Sequence, residues 1–190
     1  MKFTAATLLS IAGLATAAPA PVANGQGGGG PAVSFSPGVV SQYSVWSGAI
    51  KYNTGVGKVF KNGQTTDIST LLTFTYPAAS AGKTCSINLY LDSASTQTGA
   101  KEIDIFSSLA PAPGPRSSWG PGNQRNNHLG RIKITKPGSG VYESGYPKTG
   151  ASYPCPAPGT KAGYEFVATD DTTNTVWTQA AGVGAYISYV

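Results

Sequence analysis

Two carboxylates, Glu102 and Asp104, stand two positions apart in the run EIDIF. On an extended strand they would share one face, about 6.6 Å apart along the chain by the rise per residue. That spacing falls near the range at which paired carboxylates hydrolyse glycosidic bonds. The same pattern also describes an ordinary solvated strand face, so a secreted glycan-acting enzyme using this pair is the alternative, and the expectation is a non-catalytic protein. His128 is the only histidine and no G-x-Ser-x-G elbow accompanies it, which leaves little material for a triad or a His-based metal site. AGKT at 81–84 has the ending of a phosphate-binding loop, but Pro77 occupies the first glycine position and a strand, not a helix, is expected to follow. Asp170 and Asp171 precede Thr-Thr-Asn and read as a turn with too few oxygen ligands for calcium. No cofactor and no metal site is expected.

The stretch 116–136 offers different chemistry. It carries Arg116, Arg125, Arg131, Lys133 and Lys136 together with Trp119, several Asn and Gln side chains and no acidic residue. Guanidinium and ammonium groups attract anionic sugars or lipid head groups, and an indole can stack on a sugar ring. Arg116, Trp119, Arg125, Arg131 and Lys133 are therefore the candidate polymer-binding residues. A soluble loop with scattered charge is the plainer reading of the same stretch.

The elements that must position these groups are strands. Only 11% of the 190 residues are charged, whereas Gly (25) and Pro (14) are abundant and Met1 is the only methionine. That balance favours short strands joined by turns. Nine candidate strands cover 43–52, 56–61, 71–76, 84–91, 102–106, 130–135, 163–168, 175–179 and 185–190. Cys85, Ile87, Leu89 and Leu91 alternate with Ser86, Asn88 and Tyr90; Ile103 and Ile105 alternate with Glu102 and Asp104; Ile132 and Ile134 alternate with Arg131 and Lys133. One apolar and one polar face is the mark of antiparallel sheets with a solvated side. The expected fold is all-β, an antiparallel β-sandwich of about nine short strands, with a barrel as the alternative. The region 107–148 is rich in Pro, Gly and Asn and reads as a long insertion of the kind that is functional or disordered.

The chain opens with a secretory pattern. Lys2 is followed by an apolar run from Ala5 to Leu14 and by Ala15-Thr16-Ala17, so residues 1–17 are expected to be a cleaved signal peptide. The run is too short to span a bilayer and no later stretch is longer, so no stable membrane insertion is expected. Residues 18–34, with four consecutive glycines, read as a flexible tether, and 35–190 as the folded domain. No N-x-Ser/Thr sequon is present. Two cysteines, Cys85 and Cys155, in an oxidising compartment read as one disulfide, with a pair of free buried thiols as the alternative. Net charge is +5 for the whole chain; without Lys2 there are 12 basic and 8 acidic residues, giving +4. This is too little for a nucleic-acid binder.

Two segments carry a resemblance to a known family. FTYPAASAGKTCSINLYL (74–91) resembles the "F-x-(I/Y)-P-x-x-x-x-G-K-T-C" segment of the ubiquitin 3 binding protein C-terminal domain, or But-two family, which is fungal. YPCPAPGTKAGYEFVAT (153–169) resembles its second cysteine segment, and the closing GAYISYV is similar to its end. The resemblance implies a secreted or cell-surface β-sandwich with Cys85 and Cys155 paired, and no established activity. The family takes its name from an intracellular protein-binding role, which a secreted chain would not meet. The long Pro/Gly/Asn insertion departs from the family pattern. The resulting expectation is a secreted, non-catalytic β-sandwich, extracellular and cell-wall associated, that binds cell-wall or extracellular polysaccharide; a secreted effector-like protein-binding module is a further alternative, its protein partner unidentified.

Overall fold

A computed structural model of the chain describes residues 33–115 and 124–190. In chain order the strands are β1 (Ser34–Phe35), β2 (Val39–Ser44), β3 (Ile50–Lys51), β4 (Val56–Lys61), β5 (Ile68–Thr75), β6 (Thr84–Leu91), β7 (Thr96–Gly99), β8 (Glu102–Ser108), β9 (Arg125–Lys133), β10 (Gly138–Ser139), β11 (Val141–Tyr142), β12 (Tyr153–Pro154), β13 (Lys161–Ala168), β14 (Thr173–Thr178) and β15 (Gly184–Tyr189). A single 3-10 turn, Ala78–Ser80, is the only helical element among the described residues. The signal and tether expected over 1–34 lie outside the described residues up to position 32.

All strand pairs are antiparallel, in two sheets. The smaller runs β1-β15-β6-β10, with β12 also pairing β6. The larger runs β11-β9-β8-β13-β5-β4-β14-β7, with β2 joining β5 and β3 beside β2. The two sheets close on one core. Cys85, Ile87, Leu89 and Leu91 of β6 and Ala185 and Ile187 of β15 meet Leu72, Phe74, Ile103, Ile105, Ile132, Phe166 and Trp177 of the larger sheet. Ile87, Leu89 and Leu91 are fully buried, and burying each contributes about 2 kcal/mol. The alternation that marks β6 and β8 in the sequence thus becomes the inner face of the sandwich.

The structure has more strands than the nine expected. The expected strand 43–52 is a hairpin of β2 and β3, because Gly48 adopts φ 70° and its N–H bonds back to the Ser44 carbonyl. β1, β7, β10, β11 and β12 are short and carry no apolar alternation, so pattern alone does not announce them. The insertion expected over 107–148 contains several strand segments. β9 starts at Arg125, well before the expected 130, and β10 and β11 follow it. The outer face of the larger sheet is not wholly polar either. Tyr43, Ile50 and Leu71 form a second buried cluster there, against which Tyr52 and Ala112 pack, so β5 is buried on both sides.

Cys85 and Cys155 are bonded, with Cα atoms 5.1 Å apart and a separation of 70 positions in sequence. In the chain-entropy account a closure of that length stabilises the fold by about 4 kcal/mol. Reduction should therefore lower the melting temperature markedly while leaving a β-type far-UV spectrum at low temperature; an unchanged melting curve would contradict this. Gly57 sits opposite Trp177 across β4 and β14, and a Cβ there would overlap the buried indole. Gly57→Ala should cost at least about 2 kcal/mol in chemical unfolding. Gly38→Ala, where a Cβ meets nothing, should cost far less.

Candidate functional site

β8 and β9 lie side by side and their outward residues face one another in register. Glu102 is opposite Lys133, Asp104 opposite Arg131 and Phe106 opposite His128. The last pairing follows a register shift between Ile105 and Phe106, which returns His128 to the outer face. Gly130 lies at that irregularity, where a Cβ would run into the Tyr142 ring and the Pro147 carbonyl.

Lys133, Arg131 and Arg125 each meet a carboxylate. Lys133 Nζ lies 2.8 Å from Glu102 Oε1. Arg131 donates to both oxygens of Asp104, from Nε at 2.8 Å and Nη2 at 2.9 Å, and from Nη1 to the Tyr146 hydroxyl at 2.6 Å. His128 Nε2 is 3.1 Å from Asp104 Oδ1. Arg125 reaches past Phe106 to Glu165 on β13, donating from Nε and Nη2 at 2.9 Å each. Glu165 also accepts from the Ser69 hydroxyl at 2.5 Å and is only 1% exposed. Lys136 donates to the Ser95 carbonyl. Arg116 and Trp119 lie outside the described residues.

Rings stack between these pairs. Phe106 and His128 are 4.8 Å apart and nearly parallel. The Arg125 guanidinium lies 4.9 Å from the Phe106 ring centre, and the Arg131 guanidinium 4.1 Å from that of Tyr146. The result is a ladder of planar groups, Arg125, Phe106, His128, Arg131 and Tyr146, whose guanidinium charges are matched by Glu165 and Asp104. The hydrogen bond from Lys133 holds the Glu102 carboxyl below the ordinary carboxylate range and in turn raises the lysine. Asp104 likewise raises the Arg131 guanidinium. Glycoside hydrolysis needs one carboxyl of its pair protonated and the other ionised, whereas here each of the two is bound to a cation. No group of three or more His, Cys, Asp or Glu side chains suited to a metal occurs among the described residues.

The second grouping is the disulfide end. Tyr153 on β12 pairs with Cys85, and the Cys155 N–H donates to the Lys83 carbonyl. Beside it the hydroxyl of Tyr76 lies 3.0 Å from that of Tyr153 and 2.7 Å from that of Tyr164. Burial pushes the Tyr76 and Tyr153 hydroxyls far above their ordinary range, so both stay protonated. AGKT is the turn into β6, with Gly82 at φ 68° and Thr84 exchanging backbone hydrogen bonds with Val190. The segments around both cysteines therefore come together as one structural joint.

A family model described as the ubiquitin 3 binding protein But2 C-terminal domain matches residues 51–182. The chain belongs to that family. The matched span contains both cysteines, the three tyrosines of the joint and the whole β8–β9 ladder, and it begins after the β2–β3 turn. No curated protein matches the chain in a sequence comparison. No helix among the described residues is long and apolar enough to cross a membrane.

Sequence reasoning placed Arg131 and Lys133 on one strand face and Glu102 and Asp104 on another, and the structure sets these two faces against each other. It missed Phe106, Tyr146 and Glu165. The available signal was the equal spacing of E-x-D and R-x-K, which permits residue-by-residue pairing of adjacent antiparallel strands. Glu165, a lone acid between Tyr164 and Phe166, gave no comparable sign. Removing it leaves Arg125 and Ser69 without their acceptor in a half-covered site. Because Arg125 keeps 30% exposure, Glu165→Ala should destabilise this But2 domain by about 2–3 kcal/mol in denaturant titration, short of the cost at a fully buried pair. Glu102→Gln, facing a half-exposed lysine, should scarcely move the midpoint.

Proposed function

We propose that the chain is a secreted, non-catalytic β-sandwich module that associates with cell-wall or other extracellular polysaccharide through the outer face of β8 and β9. The observation that carries the reading is the ladder of rings and guanidinium groups with its charges already matched. Such a strip presents flat surfaces for sugar rings and N–H and O–H groups for their hydroxyls. With Arg125, Arg131 and Lys133 each against a carboxylate, the strip offers little net field to an anionic polymer, so the ligand is a neutral polysaccharide. Secretion is supported by the pattern over residues 1–17 and by the disulfide, which belongs to an oxidising compartment. The non-catalytic reading is supported by the pairing of both carboxylates, Glu102 with Lys133 and Asp104 with Arg131, which leaves neither free to serve as the acid of a hydrolytic pair. A protein partner is the second reading, favoured by the family description, which is that of a binding protein.

Residues 18–190 should co-sediment with insoluble wall polysaccharides, and retention should change little between low and high salt. Tyr146→Ala should reduce it several-fold. Protein that stays in the supernatant with every polymer would overturn the polysaccharide reading and favour a protein partner. Release of reducing sugar that Glu102→Gln abolishes would overturn the non-catalytic one.

A further inference from the structure

At the ends of β2 and β5, away from the ladder, two turns meet. The β2–β3 turn presents Val45 and Trp46, which are 45% and 77% exposed. Burial is the rule for a large indole in a β-sandwich, and Trp177 obeys it at 1%. The β4–β5 loop beside it is Asn62-Gly63-Gln64-Thr65-Thr66-Asp67. Val45, Trp46, Gln64, Thr65 and Asp67 line a depression of about 230 Å³.

Both turns are held in place. The Val45 N–H donates to the Asp67 carbonyl at 3.0 Å and so ties one turn to the other. The Gly48 N–H closes on the Ser44 carbonyl, and the Ala49 N–H bonds to the Ser47 hydroxyl. In the facing loop the Asn62 side-chain oxygen accepts from the Gln64 N–H and the Thr66 hydroxyl, both at 3.1 Å. The indole therefore stands on a fixed hairpin opposite a fixed rim. One atom of that rim is short of a partner: Asp67 Oδ1 is buried and accepts no hydrogen bond. Carboxylate torsions are soft and two-fold, and Asp67 itself lines the depression, so its side chain can rotate to offer an acceptor there.

We propose that these two turns form a binding subsite for one neutral pyranose ring, with Trp46 as the stacking platform and Asp67, Gln64 and Thr65 as partners for its hydroxyls. A pyranose has a C–H face that suits an indole and a rim of hydroxyls that donate and accept. The site supplies the matching set: a flat apolar surface, an acceptor without a donor, an amide that does both and a hydroxyl. Neither 44–50 nor 62–70 contains a lysine or arginine, and the one charged group is an acid, which disfavours an anionic sugar or a lipid head group. A protein partner fits less well, because the exposed apolar surface is confined to Val45 and Trp46, whereas a stable interface covers about 800 Å² per partner. Val45 and Trp46 precede the residues matched by the family model, whereas Gln64, Thr65 and Asp67 lie within them. None of its lining residues lies on β8 or β9.

The test is residue-resolved NMR of isotope-labelled residues 18–190, titrated with soluble hexasaccharides of β-1,3-glucose, β-1,4-glucose and β-1,4-N-acetylglucosamine. At least one should shift the amides of Val45–Gly48 and Gln64–Asp67 and the Trp46 indole N–H saturably. Trp46→Ala should weaken that binding about tenfold or more, Asp67→Asn several-fold, and Trp46→Phe less than Trp46→Ala. Because Trp46 is largely in solvent, its variants should keep the dispersed spectrum of the folded protein. Absence of shifts at these turns with all three sugars, or undiminished shifts in Trp46→Ala, would overturn the proposal. Shifts confined to β8 and β9 would overturn it too while leaving the ladder reading standing; shifts confined to the two turns would support it and count against the ladder.

Discussion

The joint at Cys85 and Cys155 is the constraint on which the rest of the sandwich depends. β6 has to lie with one face wholly in the core, and its first residue pairs are fixed from outside by β12 and by Val190 at the chain's far end. The bond ties a point 70 residues later in sequence to the start of that strand, removing much of the unfolded chain's freedom. Tyr76, Tyr153 and Tyr164 share their hydroxyls beside it, so three polar atoms that burial would otherwise leave unmet satisfy one another. Tyr76 directly follows β5 and Tyr164 lies on β13, both at the larger sheet, while Tyr153 pairs with β6 in the smaller one. The cluster thus fastens the two sheets at the end where the disulfide sits. This explains in physical terms why the two cysteine segments read as motifs.

With that end fixed, the larger sheet's outer face takes its character from cross-strand matching. β8 contributes acids and a ring, and β9 contributes cations and an imidazole, in direct opposition. Opposed charges on neighbouring strands each contribute a fraction of a kcal/mol, and they also penalise a slipped register, which would set carboxylates against the wrong neighbours. The irregularity at Gly130 is the necessary adjustment, since without it His128 would point inward. Glu165 plays a different part. It is buried under Arg125 and tied to Ser69, so it belongs to the covering of the outer cluster around Tyr43 and Leu71 more than to the surface.

Much of this was legible in the residues. The alternation in β6 and β8 gave their inner faces, and the even pair of cysteines gave the bond. What escaped had no apolar signature. β7, with the sequence TQTG, forms only because β14 offers it an edge. The polar start of β9, RNNH, is strand because β8 provides the ladder, which no local propensity announces. The basic stretch looked like a free cationic surface because its acids lie upstream in β8 and downstream in β13, beyond any window that reads 116–136 alone. Charge counted along the chain and charge met across a sheet are different quantities, and only the second reaches a ligand.

On the proposed reading of this surface, that distinction decides what kind of ligand it suits. An unmatched row of arginine and lysine would work by long-range attraction, strong in dilute buffer and weak in salt. A matched row works at contact, by the flatness of its rings and the hydrogen-bonding groups it has left. The Tyr146 ring over Arg131, and the Trp46 indole above the Asp67 rim, are both surfaces of this second sort: planar, part polar and short of net positive charge. A ligand that answers to both must be rich in hydroxyls, carry apolar faces of ring size and bear little charge. Neutral sugars meet all three conditions together, whereas an anionic polymer meets only the first two and would bring its own charge to carboxylates already in place.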